Sequence, residues 1–523
     1  MALRLNVLAS VAAVLLSQAA SAETVIKYVP QAKLAVFDTT INQSSISHQH
    51  AYMIWDTLFG ADKDQAPQPQ MVESYTLSAD GLVYTFKLRP GLKFHDGAPV
   101  TSKDAVASIK RWAPKDPNGL IMQGKGMTLA AVDDRTFTLT LKEAWGSVLD
   151  SMAKMSAKAL YVYREKDASM DPGQPIVSNI GSGPFKFVDS EFVPDSKVVY
   201  LKNPDYVPRS EPASWYAGGK VVKVDKVEWV IITDPATAVA ALNRGEVDWY
   251  ETPPLDLLPT LKANPALTAK VHNPNGAVGI MRPNHLHPPF NNAKARQAFM
   301  HAVDQKDFMQ AAVGSDPANW KTCWAFMACG TPTGTEAGAE SYQKKDLALA
   351  KKLLAESGYK NEKVVVLIPS DQQIIRDLTI VTVQTLREVG FNVEEVNTDW
   401  GGLLARRAKM DPPEQGGWSV VHTWGFGFEL GSAISNYGLT TACDRSGWPG
   451  WPCDEAMTKL RDDWAKEGDI AKRKLIGEQI QRRAVEQVYF VPLGTFFQPM
   501  AYKKSLQGIV EVAIPVFWNV EKK

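Results

Sequence analysis

The strongest constraint on the fold lies between residues 364 and 422, where apolar runs and amphipathic stretches alternate. Val364–Ile368 reads as a strand, Ile374–Val389 as a helix stopped by Gly390, Asn392–Val396 as a strand, Leu403–Ala408 as a helix and Trp418–His422 as a strand. Parallel strands need crossover connections, so this β-α-β-α-β order predicts a mainly parallel sheet covered by helices. In such sheets ligands sit beyond the carboxyl ends of the strands. The tips here are Pro369–Gln373, Asn397–Trp400 and Thr423–Phe428.

The earlier chain has a different character. Val25–Val29 reads as an opening strand, followed by a polar segment from Thr39 to His50 with little to bury. Tyr84–Arg89 and Thr136–Lys142 alternate as half-buried strands do. Between them Thr101-x-x-Asp104 caps a helix that presents Ala105, Ile109 and Trp112 on one face and stops before Pro114. Strands at 185–191 and 197–202 lead through the Pro- and Gly-rich stretch 203–219 to another at 226–232, and late helices follow at 454–464 and 470–488. With 523 residues, 45% of them hydrophobic, the chain can build two or three domains.

The N-terminus carries Arg4, an apolar run from Val7 to Leu16 and the small residues Ala20-Ser21-Ala22, the order of a secretory signal peptide cut after Ala22. No later apolar stretch reaches the eighteen or more residues of a membrane span. The expected mature protein is exported, untethered and monomeric, without direct membrane insertion. Lys+Arg and Asp+Glu both number 57, so no basic field favours nucleic acid. Four cysteines form two close pairs, Cys323 with Cys329 and Cys443 with Cys453. In an oxidising compartment these suggest two local disulfides joining nearest neighbours, each stabilising by roughly 2–3 kcal/mol.

Several motifs imitate chemistry. Gly119–Lys125 has the G-x4-G-K spacing, but Gly126 stands where Ser or Thr must hold magnesium, and a surface loop is the better reading. His48/His50 and His285/His287 lack the partners and spacing of a metal site. Ser182, between Gly181 and Gly183, suits a tight turn better than a nucleophile elbow. No catalytic constellation, cofactor motif or metal site is local in the sequence.

Five segments, in this order, resemble the large oligopeptide- and dipeptide-binding proteins of ABC importers, the family 5 solute-binding proteins. They are Leu88-Arg-Pro-Gly-Leu-Lys-Phe-His-Asp-Gly, Gly181-Ser-Gly-Pro-Phe-Lys-Phe, Lys202-Asn-Pro-Asp-Tyr, Arg244-Gly-Glu-Val-Asp and Ala295-Arg-Gln-Ala-Phe-Met-His-Ala-Val-Asp. The resemblance implies an α/β, two-lobe type II periplasmic binding fold with an extra inserted domain. On this chain the parts become 23–55 with 178–272 and 492–523 for the first lobe, 56–177 for the insert and 273–491 for the second lobe. It also implies a periplasmic importer component that closes on a peptide or other small solute and delivers it to an inner-membrane permease. A secreted hydrolase, or a sensor or chaperone-like protein on the same fold, is the alternative.

Site residues carry over unevenly. The family's dipeptide binders pair the peptide ammonium with an Asp on the tip that here reads Trp424-Gly-Phe-Gly-Phe428, and the carboxylate with an Arg near Pro369–Gln373; neither stands in its place. Asp371 and Arg376 are near but out of register. Losing both charges disfavours a zwitterion held in the usual way, because a buried charge without a partner costs several kcal/mol. Trp424, Phe426 and Phe428 would offer flat apolar faces to an aromatic or cationic solute, or else finish a buried strand. Trp400 would wall the cleft or pack in the core. Ser45, Ser47, His48 and Tyr52 would face the ligand from a loop of the first lobe, or lie in a solvated loop, and an exposed His48 would titrate near neutrality.

Overall fold

A computed structural model describes residues 23–41, 44–155 and 158–523; the expected signal peptide lies outside them. Two large sheets organise the chain. The first has seven strands in the spatial order Leu267–Val271, Pro499–Lys503, Trp249–Tyr250, Val25–Val29, Lys226–Val230, Lys197–Lys202 and Phe185–Phe187. The second has six: Trp320–Lys321, Val491–Phe496, Ala277–Pro283, Val420–Phe426, Lys363–Pro369 and Asn392–Thr398. A four-stranded antiparallel sheet built from Val72–Leu77, Val83–Leu88, Thr136–Thr140 and Thr128–Ala131 is inserted between the first two strands that the chain contributes to the seven-stranded sheet.

The chain therefore passes between the large sheets twice, between Val271 and Ala277 and between Phe496 and Pro499. The second crossing falls later than residue 492, because Val491–Phe496 is a strand of the second lobe, paired with Ala277–Pro283. The six-stranded sheet is also not mainly parallel. Lys363–Pro369 pairs in parallel with both Asn392–Thr398 and Val420–Phe426, and the other three pairings are antiparallel. Ala277–Pro283, which brings the chain in, runs against the β-α-β unit, whereas Val491–Phe496, antiparallel to Ala277–Pro283, runs with it. Ala277–Pro283 is buried at every position, which erases the alternation that marks a half-buried strand. Its interior Arg282 is compatible with a core because its guanidinium donates to the carbonyls of Gly438 (2.8 Å), Tyr489 (2.9 Å) and Pro449 (3.0 Å).

Local signals account for much of the rest. Helix Ser102–Trp112 begins where the Asp104 carboxylate accepts from the Thr101 amide at 2.7 Å and ends two residues before Pro114, with Ala105, Ile109 and Trp112 buried. Helix Gln373–Val389 ends on Gly390 in the left-handed region, φ +113°. Both cysteine pairs are disulfide-bonded, Cys323 to Cys329 and Cys443 to Cys453.

Two glycine motifs do other work than expected. The G-x4-G-K stretch is no loop; it is the helix Pro117–Gly124, capped by Asp116, and a Cβ on Gly119 would stand 2.4 Å from the Ala113 Cα. Gly181 is needed for close approach rather than for a turn, since its Cβ would lie 1.7 Å from the Ile54 carbonyl oxygen, while the Gly183 amide donates to that oxygen at 2.9 Å.

Candidate functional site

The cleft-side edge of the second lobe is where the strands Lys363–Pro369, Asn392–Thr398 and Val420–Phe426 end, beside both crossings. The last of these runs four residues beyond His422, so Trp424 and Phe426 are strand residues and share a face, two positions apart. Their rings form a continuous aromatic strip. Trp424 meets Phe496, at the second crossing, edge to face at 6.0 Å, and Phe426 likewise at 5.3 Å. Phe426 then stacks on Phe428 at 5.4 Å and 12°. Trp424 and Phe426 are half-buried and Phe428 is nearly covered. The Tyr437 hydroxyl donates to the Trp424 carbonyl at 3.3 Å and steadies the strand end.

The strip leads into a cavity of about 120 Å³ between the second lobe and the inserted part, with Phe428, Glu429 and Arg473 on one side and Gln65, Asp150 and Lys154 on the other. A groove of about 560 Å³ shares Lys154, Glu429, Ile434 and Ser435 with it. The space between the lobes is thus apolar along the strip and charged at its far end, the pattern of a small-solute site.

Trp400 is placed elsewhere. It opens the helix Trp400–Arg407, its amide donates to Asp371 Oδ1 at 2.8 Å, and its ring packs against the cluster of Val365, Leu367, Leu403, Trp418, Val421 and Trp451. That cluster uses the alternate residues of the strands, whereas Trp424 and Phe426 pack with Val364, Val366 and Val420 on the other face. Asp371 and Arg376, the charges nearest the family's positions, serve local structure: Asp371 holds the Trp400 amide, and Arg376 lies 3.4 Å from Asp377.

The first-lobe group is not a ligand-facing loop. Residues 45–54 form a helix whose buried positions run from Ile46 to Ile54, with Ser45 half-buried at its start. Ser47 Oγ donates to the Val36 carbonyl, and Tyr52 stacks on Tyr216 at 4.6 Å and 13°. His48 Nε2 accepts from the Lys158 amide at 3.2 Å, and its Nδ1 is 3.4 Å from the Tyr161 hydroxyl. Burial, reinforced by the Lys154 charge, pushes the His48 imidazole down to about 3, so it is neutral at pH 7 rather than poised there. The polar composition of this segment is explained by partners in the first lobe and in the insert packed on it rather than by solvent.

The other histidine pair is also engaged singly, His285 with the Tyr489 carbonyl (3.1 Å) and His287 with the Met410 carbonyl (2.9 Å). Among the described residues no three His, Cys, Asp or Glu side chains gather in metal-binding geometry.

Residues that the sequence did not single out line the cavity beside the strip. Glu429 directly follows the strip, which was its available signal. Asp150 and Lys154 are close in sequence, but Arg473 is 323 positions from Asp150 and no local pattern joins it to them.

The family model described as "Bacterial extracellular solute-binding proteins, family 5 Middle" matches residues 66–435. The chain is 38% identical over 491 residues to the "Probable peptide ABC transporter periplasmic-binding protein y4tO" of Sinorhizobium fredii, covering 94% of this chain and 92% of that protein. Among solved structures, AppA from Clostridium difficile superposes with a TM-score of 0.79 at 19% identity, covering 95% of this chain and all of that one. AgaA of A. tumefacien R10, in complex with agropinic acid, gives 0.74 at 22% identity over 95% of this chain and 99% of its own. Two lobes joined by two crossings, an inserted sheet and these matches agree: the chain belongs to the family 5 bacterial extracellular solute-binding proteins.

Proposed function

We propose that the protein is the periplasmic capture component of an ABC importer, exported with removal of residues 1–22, and that it takes a peptide or amino-acid-derived solute between its lobes and passes it to the permease without turnover. The observation that carries this reading is the aromatic strip running from the crossing at Phe496 into a cavity walled from both sides. Trp424, Phe426 and Phe428 form the platform on which an apolar or aromatic part of the solute lies, and the polar groups at the cavity end orient it. The 38% identical relative, named for peptides, supports a peptide. The structural relative holding agropinic acid supports keeping opine-like conjugates within the same class.

Closing the lobes on the solute is the step a permease would read, because a partner can favour the closed form only through contacts that differ between the two states. A thermal-shift panel of dipeptides, tripeptides and opine-type conjugates tests the reading. One class should raise the melting point clearly above the others; solute at a hundred times its Kd stabilises by about 2.7 kcal/mol. A panel in which no member stabilises the protein, with solution scattering unchanged by all of them, overturns it.

A further inference from the structure

The inserted part is bound firmly to the first lobe. Both of its covalent ends lead there, and buried pairs join them: Arg111 to Asp38 at 2.8 Å and Lys220 to Asp56 at 2.8 Å. Its segment 146–150 nevertheless touches the second lobe. The Gly146 amide donates to the Lys466 carbonyl at 3.2 Å, and Ser147 Oγ donates to the Ala465 carbonyl at 2.7 Å. Arg473, from the helix Ile470–Gln487, forks onto Asp150, Nη1 to Oδ1 at 3.1 Å and Nη2 to Oδ2 at 3.0 Å, and Nη2 also reaches Ser147 Oγ at 3.1 Å. Within its own lobe the same guanidinium donates through Nε to the Glu467 carbonyl and lies 4.7 Å from the centroid of the Trp464 ring.

These contacts join the insert to the second lobe away from both crossings, so a separation of the lobes about the crossings would break them. Arg473 is already oriented by Glu467 and Trp464, so forming the fork orders little else, and a bidentate arginine–carboxylate pair fixes orientation as well as proximity. Gly146 shows how close the approach is: a Cβ there would stand 2.6 Å from the Lys466 carbonyl oxygen and 2.8 Å from the Gly468 nitrogen.

We propose that Gly146, Ser147 and Asp150, docking on Arg473 and the 465–468 backbone, form a closure clamp that sets solute affinity by favouring the shut state, apart from the aromatic platform. The proposal rests on two-lobe capture but not on the solute being a peptide. Asp150 is a positioning residue in this scheme: apparent affinity scales with the fraction of protein able to close, so a tenfold shift in that fraction costs up to about tenfold in Kd.

The test compares the wild type with Asp150→Asn, Asp150→Glu and Gly146→Val. Without added solute, small-angle scattering should show Gly146→Val as the most expanded, Asp150→Asn as intermediate and Asp150→Glu close to wild type. Hydrogen exchange at the Gly146 amide should quicken in Asp150→Asn, while circular dichroism stays that of the wild type. In a second arm each protein is titrated with the dipeptide Ala-Phe, and Gly146→Val and Asp150→Asn should bind about tenfold more weakly, through faster release. Failure of Ala-Phe to bind the wild type counts against the peptide reading and leaves the scattering arm to decide the clamp. Scattering and exchange identical to wild type in both Gly146→Val and Asp150→Asn overturn the clamp.

Discussion

The helix Ser45–Ile54 and the strip Trp424–Phe428 are both rich in groups able to hold a ligand, yet they lie in opposite environments. In the helix His48, His50 and Tyr52 are closed in, each against a tyrosine: Tyr161 of the insert, and Tyr200 and Tyr216 of the first lobe. In the strip the rings touch one another in series; Trp424 and Phe426 stay half-exposed and Phe428 lines the cavity. Polar residues whose needs are met inside a lobe specify its core; aromatic residues whose faces are only partly met are available to a guest.

The sharpest way to break this contrast is Tyr52→Ala. If the ring is core, its removal should lower the free energy of unfolding by about 3–5 kcal/mol in a urea titration, leaving solute affinity within twofold. A stable variant with lost affinity would move Tyr52 to the ligand.

Acid should act on the buried histidines and not on the rings of the strip. His48 and His50 are both pushed down to about 3 by burial, and so is His422 of the second lobe. Between pH 6.5 and about 3 the unfolded chain carries protons that the folded one refuses, so stability is full above 6.5 and falls as the pH drops through that window. Each such histidine contributes a loss on the order of 1 kcal/mol per pH unit at most. Urea midpoints at pH 7, 6 and 5 should decline, and the decline should be shallower in His48→Asn; solute affinity over the same interval should follow the stability loss of neither.

Shortening the strip sharpens the comparison from the other side. Phe426→Ala should weaken solute binding about tenfold, near the upper end of what an aromatic contact contributes beyond its area, while costing less stability than Tyr52→Ala. The smallest effect is expected at Trp400, whose ring packs on the opposite face of the sheet: Trp400→Phe should change affinity by less than about twofold by calorimetry, with a stability loss near 1 kcal/mol.

The strands and helices between 363 and 407 were legible because their periods are local, and so were the capping box at Thr101, the stop at Gly390 and the disulfide partners. Ala277–Pro283 was not, because a strand covered on both faces has no alternation to read. The helix 45–54 reads as a loop because nothing local shows that Lys158, Tyr161, Tyr200 and Tyr216 meet its polar residues from elsewhere in the chain. Of the site, the aromatic strip could be seen as a cluster in one short segment, whereas Asp150 and Arg473, 323 positions apart, could not.

Most elements, their order and the family could be read from the chain alone, since hydrophobic period, capping residues and short recurring segments act within a few residues of one another. The direction of Ala277–Pro283, the openness of the aromatic rings and the meeting of charges across the lobes emerge in the folded molecule. Those depend on neighbours brought together by packing, and burial is a property of the assembled surroundings that no single stretch of chain carries.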